Sequence, residues 1–178
     1  MIEIRWHARA GQGAKTGSHV LAVAALSAGR SVQAFPEYGP ERRGAPMRAF
    51  TRIDDRPIRR HCAIDRPGAV VVLEPSLLGA DVVDGLAADG LLVAITERTP
   101  AEVAAATGHR GRVVCVAPGP PRVVNVLAAG ALAGALGVPP LADVLAAVTQ
   151  VLGAKAGEET LAAVRSGFAA AQEERWAA

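Results

Sequence analysis

Cysteine is nearly absent from this chain: Cys62 and Cys115 are the only two, and they fall in different predicted elements. Two thiolates cannot ligate an ordinary iron–sulfur cluster, which takes four, and they form no CxxC motif of the redox or zinc type. They read as two separate buried thiols. The four histidines, His7, His19, His61 and His109, show no metal-ligand spacing, so no metal site is expected. Lysine is as scarce, with Lys15 and Lys155 alone, so the net charge of +2 rests on scattered arginines with one knot between Arg42 and Arg60. That is too little for a nucleic-acid surface. No basic region precedes an apolar stretch at the start, which argues against a secretory signal and makes the cytoplasm the expected compartment. The longest apolar run, Val123 to Val138, is shorter than a bilayer span and fenced by prolines on both sides, so it reads as a buried helix and not as a membrane insertion. Aromatic residues make up 3 %, which leaves the core to branched and small aliphatics.

What is present is a globular composition, 51 % hydrophobic and 20 % charged, with no linker-like shift, so residues 1–178 are expected to form a single domain. "MIEIRWH" alternates apolar and polar as a half-buried strand does; "ARAGQGAK" follows as a glycine turn, then a helix over Thr16 to Ala28. "SVQAF" reads as a second strand, and "MRAFTRID" with "RPIRR" as a hairpin joined near Asp54 and Asp55. "AVVVLE", "LLVAI" and "VVCVA" are continuous apolar strands of the kind buried on both faces. Helices are expected around Leu77 to Ala88 and Pro100 to Ala106. The last third reads as all helix, over Pro121 to Leu136, Leu141 to Leu152 and Glu158 to about Arg175. Strands alternating with helices predict an α/β, Rossmann-like three-layer sandwich with a mostly parallel sheet, an antiparallel hairpin and a helical C-terminal third.

Two segments carry chemistry. In the glycine turn, Gly11 and Gly13 sit where the first strand hands over to the first helix, a place where backbone N–H groups favour an anion. The dinucleotide fingerprint is incomplete, because its third small position is Thr16 and the second strand ends in Phe35-Pro36 without a ribose-binding acid. A structural turn, an anion contact and a dinucleotide site all stay open. The second segment is "FPEYGPERRGAP", Phe35 to Pro46. Three prolines stiffen it, Phe35 and Tyr38 suit a surface that becomes covered, and Arg42 and Arg43 offer planar forks for carboxylate or phosphate with Glu37 and Glu41 available to orient them. It reads as a preshaped contact surface.

These residues also resemble a known family. "EIRWHARAGQGAKTGSHVLAVAAL" followed by "FPEYGPERRGAPMRAFTRIDDRPI" is similar to the gamma subunit, or gamma domain, of the pyruvate/2-oxoacid:ferredoxin (acceptor) oxidoreductases. That family carries a pattern close to G-R-G-G-Q-G-A and a long, specific F/Y-G-P-E-R-R-G-A-P run followed by a strand. "RVVNVLAAGALAGALG" matches its Asn-bearing helix, and Lys155 a frequent family lysine, whereas Ala8 and Ala10 stand where glycines are usual and the asparagine that often follows in the last helix is missing.

The resemblance implies a subunit of an enzyme that oxidatively decarboxylates a 2-oxoacid to an acyl-CoA on thiamine diphosphate with Mg, passing electrons through iron–sulfur clusters. It implies alpha, beta and delta-type (ferredoxin-like) partner subunits, coenzyme A as co-substrate, and ferredoxin or another acceptor for the electrons. Asn125 is the sole asparagine, and Asp89-Gly90 has no suitably placed Asn after it to complete a diphosphate–magnesium motif. Both redox cofactors are therefore expected on partner subunits, with none bound by this chain alone and no catalytic residue of its own. By the resemblance Arg9, Gly11, Gln12 and Gly13 would contact coenzyme A or a partner. Glu37, Tyr38, Gly39, Pro40, Glu41, Arg42, Arg43, Gly44 and Asn125 would form the subunit junction. Two other readings compete: a stand-alone NAD(P)- or flavin-binding reductase using the Gly11 turn, and a scaffold whose small-residue helix around Ala128 to Ala135 packs on a partner.

Overall fold

In the computed structural model, described over residues 1–37 and 44–176, six strands form one sheet in the order β2-β3-β1-β4-β5-β6. They are β1 (Ile2–Arg9), β2 (Ser31–Pro36), β3 (Pro46–Asp54), β4 (Ala69–Val72), β5 (Leu91–Ile95) and β6 (Arg112–Val116). The helices are α1 (Ala14–Ser27), α2 (Pro100–Thr107), α3 (Val124–Leu136), α4 (Leu141–Leu152) and α5 (Glu158–Trp176). β1, β4, β5 and β6 run parallel, and β3 lies antiparallel between β1 and β2. The architecture is the expected mostly parallel α/β sandwich with a helical C-terminal third.

The two faces of the sheet are unlike. Ile4, Trp6 and Ala8 of β1 point into a large aliphatic core shared with α1, α3, α4 and α5. On the other face Val70, Val72, Leu92 and Ala94 meet α2 and two short 3-10 turns at Pro75–Leu77 and Ala80–Val83. With aromatics so few, the large core depends on close backbone approach. A Cβ on Gly167 of α5 would lie 2.2 Å from the Leu127 carbonyl oxygen, and one on Gly130 of α3 2.3 Å from that of Val164. The small residues of α3 thus serve packing inside this chain, with Ala128, Ala129, Ala131 and Ala133 fully buried, and not a partner's surface as the scaffold reading supposed. Trp6 is also fully buried; its indole N–H donates to Thr51 Oγ1 at 3.1 Å, and that hydroxyl donates to the Ser18 carbonyl at 3.2 Å, tying β1, β3 and α1 together.

Three local expectations are corrected. The hairpin joins β2 to β3, not β3 to residues 56–60: both edges of β3 are occupied by β1 and β2, and Pro57 lacks the N–H a further strand would need. The helix expected over 77–88 is replaced by the two 3-10 turns, because Gly79 and Gly85 leave too short a stretch for a stable helix. Cys62 is exposed and Cys115 partly so, rather than both buried, since residues 61–63 cross over the sheet's polar face and carry Cys62 outward. Among the described residues no helix is long and apolar enough to cross a membrane.

Candidate functional site

β1 and β4 are parallel neighbours whose connections leave in opposite directions along the sheet, β1 toward the β2–β3 side and β4 toward β5. In open α/β sheets the crevice at the carboxyl ends of such a pair is where ligands bind. Here the glycine turn, Ala10–Gly13, leaves β1 and reaches the loop after β4 through Gln12. Gln12 folds back so that its Oε1 accepts from the Arg9 backbone N–H at 2.7 Å while its Nε2 donates to Glu74 Oε2 at 2.7 Å. Glu74 follows β4 and accepts from the Ser76 N–H at 3.2 Å. Burial alone would push the Glu74 carboxyl up. Hydrogen bonds from Ser76 and Gln12 and the nearby Arg9 outweigh it and hold the group below the usual carboxylate value.

Arg9 ties three loops together. Its guanidinium donates to Ser76 Oγ at 3.0 and 3.3 Å and to the Gly44 carbonyl at 3.1 Å. The Ala10 N–H donates to the Ala45 carbonyl at 2.8 Å. The turn after β1, the loop after β4 and the return limb of the β2–β3 hairpin therefore meet as one unit. Gly13 caps α1 in the left-handed region, φ 81°, and a Cβ there would lie 2.7 Å from Asn125 Nδ2. No side chain caps α1 and its first turn holds no acid and carries Lys15, so the helix start keeps its positive end.

Arg9, Gly11, Gln12, Gly13, Gly44 and Asn125 are thus gathered at one end of the sheet. Glu37 stands apart and forms a two-pronged ion pair with Arg48 across the hairpin. Tyr38, Gly39, Pro40, Glu41, Arg42 and Arg43 lie outside the described residues. Glu74 and Ser76 were missed by the sequence reading; the signal available was an acid just past the carboxyl end of a parallel strand, followed by proline.

A second polar cluster lies on the face of β1 and β3 away from the large core. Arg52 is fully buried, donates to Glu3 at 2.9 Å, Gln33 at 3.1 Å and the Cys62 carbonyl at 2.8 Å, and stacks 5.4 Å above the Phe35 ring. Arg5 donates to the carbonyls of Val82 and Asp84 and, at 2.9 Å, to His7 Nε2. Burial first, and then Arg5 and Arg48, lower the His7 pKa from 6.5 to about 3, so the ring is a neutral acceptor. Among the described residues no group of His, Cys, Asp and Glu could hold a metal ion.

A dinucleotide is disfavoured by topology. In a nicotinamide fold the acid that grips the ribose ends the strand next to β1, whereas here antiparallel β3 separates β1 from β2. The comparisons with known proteins decide the kinship. Residues 3–170 match the model of the pyruvate ferredoxin/flavodoxin oxidoreductase family.

The chain belongs to that family, where it corresponds to the gamma subunit.

It is 42 % identical to pyruvate synthase subunit PorC of Thermotoga maritima, over 97 % of this chain and 94 % of that one. It is 41 % identical to the pyruvate/ketoisovalerate oxidoreductases common subunit gamma of Pyrococcus abyssi, over 94 % of this chain and 96 % of that one. The crystal structure of the Thermotoga maritima subunit superposes with a TM-score of 0.78 at 36 % identity, covering 97 % of this chain and 95 % of that one.

Proposed function

We propose that this chain is an accessory subunit of a thiamine-diphosphate and iron–sulfur 2-oxoacid:acceptor oxidoreductase, making acyl-CoA, and that its β1–β4 crevice faces the active centre carried by its partners. The observation that carries this reading is the unit built by Arg9, Gln12 and Glu74. It fixes the uncapped start of α1, whose first turn carries Lys15, in the same unit as the return limb of the β2–β3 hairpin. Such a surface suits an anion: a phosphate of coenzyme A or a carboxylate of a partner subunit. The α1 backbone N–H groups, Arg9 and Lys15 would hold it, and Arg42 or Arg43 would supply a further fork at the subunit junction.

The crevice contributes binding and water exclusion, and no step of the redox chemistry. Two cysteines in the whole sequence are too few for an ordinary cluster. In this reading the iron–sulfur clusters, and the thiamine diphosphate with its Mg, would be carried by alpha, beta and delta-type subunits. Substrate choice would rest there too. The Pyrococcus abyssi relative is named as common to pyruvate and ketoisovalerate oxidoreductases, which is how a subunit remote from substrate selection behaves.

The test is steady-state kinetics of the intact oxidoreductase carrying Arg9→Gln, and separately Arg42→Ala with Arg43→Ala. A charge-assisted contact is worth about 1.5–3 kcal/mol, so loss of one raises the KM for coenzyme A about ten- to a hundredfold with the KM for the 2-oxoacid unchanged. Weakened assembly in place of that shift would assign the arginines to a partner carboxylate. Unaltered assembly and kinetics in both variants would overturn the proposal.

A further inference from the structure

β2 forms one edge of the sheet, bonded to β3 on one side only. Its phase can be read from one bond. The Glu37 N–H donates to the Arg48 carbonyl at 3.0 Å, and in an antiparallel ladder bonded pairs recur at every second residue. Phe35, Gln33 and Ser31 are therefore bonded to β3, and the N–H and C=O groups of Val32 and Ala34 point away from the sheet. Pro36 shares that outward phase, where its missing N–H costs the ladder nothing. Among the described residues the backbone groups of Val32 and Ala34 have no hydrogen-bond partner.

Edge strands left open in this way normally carry charge, proline, a bulge or a cover, and here Pro36 alone supplies one, at the strand's end. None of Ser31, Val32, Gln33, Ala34, Phe35 and Pro36 is charged, and all are half-buried. Beside the strand lies a shallow, open depression of about 430 Å³ lined by Gln33, Ala34, Phe35 and His61. The segment that supplies His61, residues 56–66, carries four exposed arginines against one aspartate, Asp65. Of these arginines Arg60 pairs with an acid, Glu3 at 3.8 Å, whereas the guanidinium groups of Arg56, Arg59 and Arg66 form no ion pair among the described residues.

We propose that β2 is a docking edge for an extended, acidic segment of another subunit of the oxidoreductase. That segment adds as a seventh strand on Val32 and Ala34, places one side chain in the Phe35–His61 depression and sets its carboxylates against Arg59 and Arg60. A second copy of this chain fits poorly, because its own residues 56–66 carry the same excess of arginine and offer no acidic segment. The inference rests on the chain being a subunit of a larger assembly. It concerns an edge separate from the β1–β4 crevice.

Hydrogen exchange resolved to single amides, on the isolated chain and on the intact complex, tests it. The Val32 and Ala34 amides should exchange at least tenfold more slowly in the complex, while those of Gln33 and Phe35 are slow in both. Equal exchange of Val32 and Ala34 in the two samples overturns the proposal, as does protection that appears in the isolated chain with rising concentration, which would mean a second copy. An Ala34→Pro variant removes the outward N–H in the phase where Pro36 already stands. With the isolated variant folded by circular dichroism, its Kd for the partner subunits should rise at least tenfold, and Arg59→Glu with Arg60→Glu should do the same with a weaker salt dependence. Unchanged Kd in both variants also overturns it. A chain that binds no partner at all would instead refute its place in the assembly, a distinct outcome.

Discussion

The two faces of strand β1 obey different physics. One carries Ile4, Trp6 and Ala8 into a water-free aliphatic core; the other carries Glu3, Arg5 and His7 into a cluster of hydrogen-bonded charges, although Arg5 and His7 are buried almost as deeply. The aliphatic face is held by area and close packing. The polar face is held by satisfied donors and acceptors, so removing one partner there leaves another stranded. A single strand can thus anchor the fold on one side while keeping, on the other, a layer that depends on pH.

The sharpest way to break that comparison is Trp6→Ala, which empties a fully enclosed site and releases the Thr51 hydroxyl. We expect a loss of about 3–5 kcal/mol in denaturant unfolding. Arg52→Leu is the matching cut on the polar face. It strands Glu3 and two backbone carbonyls and should cost about 3 kcal/mol, less than Trp6→Ala but more than any exposed arginine. Gly167→Ala tests close packing without removing any atom: its new Cβ meets the Leu127 carbonyl, and the α3–α5 pair must part at a cost of about 1–3 kcal/mol, read as a lower midpoint.

His7 separates the faces by pH. Its folded pKa, about 3, lies below the ordinary 6.5, so between those values the unfolded chain binds the extra proton. The stability His7 provides is whole above pH 6.5 and is lost as pH falls toward 3, at no more than about 1.4 kcal/mol per pH unit. His7→Gln should flatten the melting temperature across that window; an unchanged slope would assign the acid sensitivity elsewhere. The smallest effect belongs to Arg48→Ala, whose pair with Glu37 is exposed and should contribute less than about 1 kcal/mol.

Much of the aliphatic side could be read from the sequence. β5 and α4 fall on the residues expected, because continuous apolar runs bounded by Pro or Gly report burial locally. The polar side was far less legible. Arg52 looks like any strand arginine until Glu3, Gln33 and Cys62 are brought round it from three other segments. The partner of β3 depends on sheet order, which no local pattern encodes. In the candidate site the glycine turn announced itself by composition, whereas Glu74 acquired its role only when β4 was laid beside β1 and Gln12 could reach it. Asn125 was found through kinship, and the structure supplies the physical reason: it closes over Gly13, where a side chain would collide.

The most direct test of the account is purification of the tagged chain at native abundance from the cells that make it, with identification of the accompanying chains and their cofactors. The account predicts larger subunits carrying thiamine diphosphate and iron–sulfur absorbance, with coenzyme A-dependent 2-oxoacid oxidation in the same fraction. A chain recovered alone, binding a nicotinamide or flavin nucleotide in titration, would contradict it.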